Sequence, residues 1–175
     1  MKKKKIIFLI IDLVLIVLSV FLDQFTKALA VEKLKDKPAT NLIDGVLEFN
    51  YLENKGAAFG MLQDQKLFFI LVAVVILAVI LYVLYKTPDD NKYIALHILL
   101  SLIAGGAVGN MIDRLVNTYV VDFIYFKLIN FPIFNVADIF VSVGTFVLII
   151  LFLFFYKEED LTFLNFKQIK FRKLG

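Results

Sequence analysis

The sequence predicts an all-α membrane protein with four transmembrane helices and both termini cytoplasmic, and three observations carry that prediction. The 175-residue chain is 61% hydrophobic, with a mean hydropathy of +0.84, far above the apolar share of a soluble domain. Four stretches reach the roughly 17–25 apolar residues that cross a bilayer. Basic residues gather at the two ends and in one short turn, which sets a direction.

The first span covers residues 6–22, interrupted only by Asp12. The second, 67–85, carries no charge, and the third, 94–112, contains His97 and Asn110. The fourth runs over about 133–156, with Asp138 near its start. Pro132 suits the first turn of that helix, where a missing N–H costs nothing. The chain reads as a single integral-membrane domain over 1–175.

Lys2 to Lys5 precede the first span, and Lys86 and Lys92 flank the turn at 87–91. Lys157, Lys167, Lys170, Arg172 and Lys173 follow the fourth. An even number of spans puts all three regions on one side, which the positive-inside rule makes cytoplasmic. The tail at 157–175 is then cytoplasmic, and residues 31–66 and 115–131 form outer loops. A cleaved signal peptide ending near Ala28-Leu29-Ala30 is the competing reading. The long apolar run and the charges of Asp23 and Lys27 argue against it.

Composition excludes several chemistries. There is no cysteine, hence no disulfide, thiol nucleophile or thiolate metal site. His97 is the sole histidine, which removes His-rich zinc sites and argues against a Ser-His dyad; no metal or cofactor is expected. The net charge of +3 reflects topology signals at the termini, and no nucleic-acid surface is predicted. Ser19, Ser101 and Ser142 have no lysine at a spacing that suits a Ser-Lys peptidase.

The polar residues fall at the outer ends of the spans. Asp23, Gln24 and Lys27 close the first, Asn54 lies in the first outer loop, and Asn110, Asp113 and Arg114 close the third. Asp122 follows in the second outer loop, and Asn135 and Asp138 open the fourth span. Such convergence is the pattern of a site at the outer leaflet. Ionisable groups at membrane depth are expensive and by default functional.

Asp12, Ser19 and Asp23 share one face of the first span. Asp23 and Lys27 have the i, i+4 spacing of an interfacial ion pair. Asp12 lies deep, where an aspartate costs ~2.5–3.5 kcal/mol; it is either protonated or paired with Lys5. His97 faces the cytoplasmic half as a packed helix residue. Gly105 and Gly109 form a small-xxx-small face for close helix approach. Arg114 can hold a carboxylate in a fixed fork, and Asp113 with Arg114 can equally cap the helix end. Asp138 sits roughly 9 Å along a helix that starts at Pro132, with Asn135 one turn before it. Residues 120–126 are too apolar for a solvated loop and should dip into the bundle.

Five blocks then carry a resemblance. They are Asp23 with Lys27; Asn54-Lys55-Gly56-Ala57-Ala58-Phe59-Gly60; Gly105 through Asn110 to Asp113-Arg114; Val120-Val121-Asp122-Phe123; and Phe134-Asn135-Val136-Ala137-Asp138. In this order, on a four-span chain, they resemble the type II (lipoprotein) signal peptidases. The resemblance covers most of residues 23–138 and none of the basic tail. It implies a small extracytoplasmic β platform and a short helix between the first two spans. It also implies an intramembrane aspartyl endopeptidase of the bacterial cytoplasmic (inner) membrane, with its active site at the outer leaflet. The implied substrates are diacylated prolipoproteins, cut before the lipidated cysteine. Membrane lipid and globomycin-type inhibitors are the other implied partners.

The family's two catalytic aspartates fall on Asp122 and Asp138. Its supporting and substrate-binding residues fall on Asp23, Lys27, Asn54, Gly56, Asn110, Asp113, Arg114 and Asn135. Ile139 departs from the small polar residue common after the second aspartate, and Asp12 is outside the pattern. The residues alone support the same chemistry, because two adjacent carboxylates cannot easily both ionise and one keeps a proton near neutral pH. The rival class is a small ion-coupled transporter using the same cluster, which calls for polar groups near the midplane and an internal repeat. The chain shows neither clearly.

Overall fold

The computed structural model describes residues 3–56 and 62–164. Ala57, Ala58, Phe59 and Gly60 of the first-loop block lie outside the described residues, as do Lys2, Lys167, Lys170, Arg172 and Lys173. Among the described residues, four helices are long and apolar enough to cross a membrane: α1 (Lys3–Leu34), α2 (Lys66–Lys86), α3 (Ile94–Asn117) and α4 (Val136–Phe154). Their outward apolar side chains, among them Leu13, Val75 and Phe146, remain exposed and form the surface that lipid covers.

Helix α1 outlasts the predicted span by three turns. Residues 24–34 are mostly good helix formers, including Lys27, Ala28, Leu29, Ala30, Glu32 and Lys33, so nothing stops the helix at the end of the apolar run. Its 32 residues measure about 48 Å, more than the ~30 Å of a hydrocarbon core. Its buried residues are Asp12, Ser19, Asp23, Lys27 and Ala30. This is the predicted stripe, extended by two turns.

Helix α3 is the central element and the most buried of the four. Small residues let its neighbours approach. A Cβ on Gly105 would strike Ser19 of α1, and one on Gly106 would lie 2.6 Å from the Ala137 carbonyl of α4. Gly144 of α4 faces Ile103 in the same way. The apolar core between α2, α3 and the end of α4 is built from Ile80, Leu84, Leu96, Leu100, Ile103 and Tyr156.

The outer loops supply one three-stranded antiparallel sheet in the order β1 (Thr40–Ile43), β2 (Leu47–Asn54), β3 (Val120–Phe126). Gly45, at φ 69°, makes the β1–β2 turn, a conformation that favours glycine. The sequence places the platform in the first loop alone. In the structure residues 120–126 add the third strand, so this apolar stretch forms a sheet strand. Its Val121 and Phe123 pack with Ala30 of α1. Between α1 and α2 no further helix occurs among the described residues.

Helix α4 begins later than Pro132 suggests. Asn135 is its N-cap, and a reciprocal capping box joins Asn135 to Asp138 at the third helical position. Asp138 therefore stands in the first turn, not two turns down the helix. Residues 132–135 instead run beside β3: the Phe134 carbonyl accepts the N–H groups of Phe123 and Ile124, and the Phe134 N–H donates to Ile124. That pairing keeps residue 134 out of the helix and lays the start of α4 against the strand carrying Asp122.

Candidate active site

A cavity of ≈ 630 Å³ opens between the sheet, α3 and the start of α4. Asp122 and Asp138 both line it, together with Asn54, Gly56, Asn110 and Arg114. The rest of the wall is mainly apolar, including Leu47, Ile124, Phe126, Phe134, Ile139 and Val143.

Each aspartate is held by asparagines. Asp122 projects from β3, and its Oδ1 accepts from Asn135 Nδ2 at 2.6 Å while its Oδ2 accepts from Asn54 Nδ2 at 2.8 Å. Leu52 is the register partner of Asp122 and Asn54 that of Val120. Asn54 and Asp122 are thus diagonal neighbours on one face of the sheet. Asp138 Oδ2 accepts the Asn135 backbone N–H at 3.1 Å, and its Oδ1 accepts from Asn110 Nδ2 at 2.8 Å. Asn135 Oδ1 in turn accepts the Asp138 N–H at 3.0 Å. Asn135, fully buried, touches both aspartates and ties them together through one residue.

Burial raises the Asp122 carboxyl to about 7, with the charge of Asp138 adding to the effect. The hydrogen bonds from Asn54 and Asn135 oppose the shift, as does Lys27 more distantly. A carboxyl poised there exchanges its proton near neutral pH, as acid–base work requires.

Behind the cavity wall lies a second polar layer. Asp23, Lys27 and Asp113 are each no more than 3% exposed. Lys27 Nζ bridges Asp23 at 2.8 Å and Asp113 at 3.0 Å, so the Asp23–Lys27 pair is buried rather than interfacial. Lys27 also donates to Asn110 Oδ1 at 2.8 Å. Gly109 makes room for this group, because a Cβ there would strike the Asp23 carboxylate.

Arg114 behaves differently from the expected fork. Its guanidinium donates to the Gly56 carbonyl at 3.2 Å and stacks over Phe69 at 4.5 Å. Asp113 does not cap the helix end beside it, since both its oxygens are engaged by Lys27, Gln24 and the Val121 N–H. The block at 54–60 is described only to Gly56. That part is anchored: Asn54 Oδ1 accepts the Gly56 N–H at 2.9 Å.

Three features escape the sequence reading. Gln24 is given no role there, yet its amide reaches Asp113 Oδ1 at 2.9 Å and the Gly109 carbonyl at 3.2 Å. The capping box was legible as Asn-x-x-Asp ahead of an apolar run. Asp12 pairs not with Lys5 but with His97 Nδ1, at 2.9 Å, and Ser101 donates to it at 3.3 Å. Lys5 instead reaches the carbonyls of Leu84 and Thr87 at the end of α2. Asp12 lies 85 residues from His97 in sequence, and no local spacing signals that contact.

Asp122 and Asp138 thus share one cavity at the end of a bundle of membrane-type helices. A model of the family described as Signal peptidase (SPase) II matches residues 15–154. The lipoprotein signal peptidase of Clostridium tetani is 42% identical over 151 residues, covering 85% of this chain and 94% of that protein. The lipoprotein signal peptidase of Caldanaerobacter subterraneus subsp. tengcongensis is 46% identical over 143 residues, covering 81% and 95%. A bacterial membrane enzyme solved by the in meso method at 2.3 Å resolution superposes with a TM-score of 0.74 at 32% identity, covering 81% of this chain and 87% of that one. The chain belongs to the signal peptidase II family of aspartic-type membrane peptidases.

Proposed function

We propose that this enzyme removes the signal peptide from diacylglyceryl-modified prolipoproteins, cutting before the lipidated cysteine, with Asp122 and Asp138 as a water-activating dyad. The observation that carries the reading is the linkage of both carboxylates through Asn135 at one wall of a largely apolar cavity. The ionised member of the pair takes a proton from water, which attacks the scissile carbonyl. The protonated member polarises that carbonyl and then supplies a proton to the leaving amine. The proton belongs to the pair, because interacting carboxyls titrate jointly.

Asn54, Asn110 and Asn135 are the positioning groups. Their donated N–H bonds hold the carboxylate oxygens without adding charge. Arg114 fixes the Gly56 carbonyl, and so the start of the covering loop, against α3. The apolar wall suits the acyl chains of a modified cysteine. Ile139, beside Asp138 on that wall, makes this side drier than a small polar residue would. The loops at 31–66 and 115–131 lie outside the cytoplasm, both termini inside, and the site at the outer leaflet of the bacterial inner membrane. Globomycin-type compounds are the expected inhibitors.

The deciding experiment uses purified protein and a diacylated prolipoprotein in detergent without added metal. Asp122→Asn and Asp138→Asn are each expected to lower turnover about 10³-fold or more. Sustained cleavage by either variant sinks the dyad.

A further inference from the structure

The buried layer behind the cavity repeats one contact twice. Asp113 Oδ2 accepts the Val121 N–H at 3.0 Å, and Val121 is the residue before Asp122. Asp23 Oδ1 accepts the Ala137 N–H at 2.9 Å, and Ala137 is the residue before Asp138. Lys27 stands between the two acceptors, 2.8 Å from Asp23 Oδ2 and 3.0 Å from Asp113 Oδ2. We propose that Asp23, Lys27 and Asp113 form a clamp that sets the separation of Asp122 and Asp138 by gripping the peptide N–H ahead of each. They are positioning residues, since none of them lines the cavity. The proposal rests on the dyad reading and adds how the dyad is spaced.

The parts come from four elements. Asp23 and Lys27 sit on α1, Asp113 on α3, Val121 on β3 and Ala137 on α4. Ala137 lies in the first turn of α4, where backbone donors have no helical partner. Charge-assisted hydrogen bonds of this kind are short and directional, so each carboxylate fixes its peptide unit closely. The ammonium of Lys27 has three donors. Its third contact, to Asn110 Oδ1 at 2.8 Å, leads to Asp138 through Asn110 Nδ2. Gln24 closes the cluster by donating to Asp113 Oδ1 and to Asp23 Oδ2.

Stability alone does not account for this arrangement. Taking three charges out of water is costly, and apolar side chains of similar volume often hold a fold as well or better. What apolar packing does not supply is a fixed acceptor for two particular N–H groups. A displacement of about 1 Å in a catalytic group costs on the order of 10²-fold in rate.

The test separates the grip on the backbone from packing. Asn at 113 retains an oxygen for the Val121 N–H, whereas Leu at 113 fills similar space without one. In folded, purified enzyme, Asp113→Leu is expected to lower kcat about 10²-fold with little change in KM. Asp113→Asn should recover at least about a tenth of the wild-type kcat. Lys27→Met should resemble Asp113→Leu. If Lys27→Met does not fold, the two Asp113 variants carry the test, with kcat taken per folded molecule. Equal kcat for Asp113→Asn and Asp113→Leu, or wild-type kcat in either Asp113→Leu or Lys27→Met, overturns the clamp. Failure of the dyad reading shows separately, as turnover by Asp122→Asn or Asp138→Asn.

Discussion

Asp122 shows how environment retunes an ordinary carboxyl. Burial and the charge of Asp138 raise it to about 7, so its pair with Asp138 should keep one proton up to neutral pH and lose it above. Turnover is therefore expected to decline on the alkaline side with an apparent pKa near 7. A pH–rate profile checks this, and a flat profile from pH 6 to 9 contradicts it. Stability carries the same sign. The folded protein holds the Asp122 proton over a window, from 3.8 to about 7, in which the unfolded chain has released it. That contribution is present at the acid end and lost as pH rises through the window. Asp122→Asn removes this slope, so its melting temperature should exceed that of wild type more at pH 8 than at pH 5.

At the scale of elements, two helix contacts divide function from stability. The cap of α4 does both. Asn135 Oδ1 closes the capping box while Asn135 Nδ2 holds Asp122. Asn135→Ser keeps a capping oxygen, so the cost to the helix should be well under the ~1 kcal/mol of a lost cap. The bond to Asp122 is lost, and turnover should fall about 10-fold or more. Parallel melting and activity assays separate the two, and equal small effects on both would contradict the assignment.

The Asp12–His97 contact between α1 and α3 is the converse case. It lies outside the cavity and is nearly fully buried. Asp12→Ala leaves His97 Nδ1 and Ser101 without that acceptor. It should cost about 1–3 kcal/mol of stability, while turnover per folded molecule stays near wild type. A large loss of turnover in the folded variant would place Asp12 in the site's support.

For the whole molecule, the proposed topology is open to direct measurement. The chain has no cysteine, so single cysteines report without background. Asp44 stands on the exposed β1–β2 turn and Asn91 on the exposed turn between α2 and α3. In intact cells or spheroplasts, an impermeant maleimide should label Asp44→Cys and spare Asn91→Cys. The reverse pattern would invert the topology and put the cavity on the cytoplasmic side.

Four spans, and the stripe of Asp12, Ser19 and Asp23 along α1, were legible because both are local. A bilayer demands long apolar runs with internally satisfied backbones, and a helix repeats its face every few residues. The polar side chains that gather in the site were legible too, since each is an expensive exception in an apolar setting. Their partners were not. Asp12 turns to His97 and not to the nearer Lys5, Arg114 to the Gly56 carbonyl and not to a carboxylate, and residues 120–126 to the edge of β2. The true start of α4 depends on Phe134 pairing with β3, which removes Pro132 from the helix. Each of these joins groups far apart in the chain, where no periodicity operates. Only tertiary packing, including the close approach of α1 and α4 to the glycines of α3, decides which buried donor meets which buried acceptor.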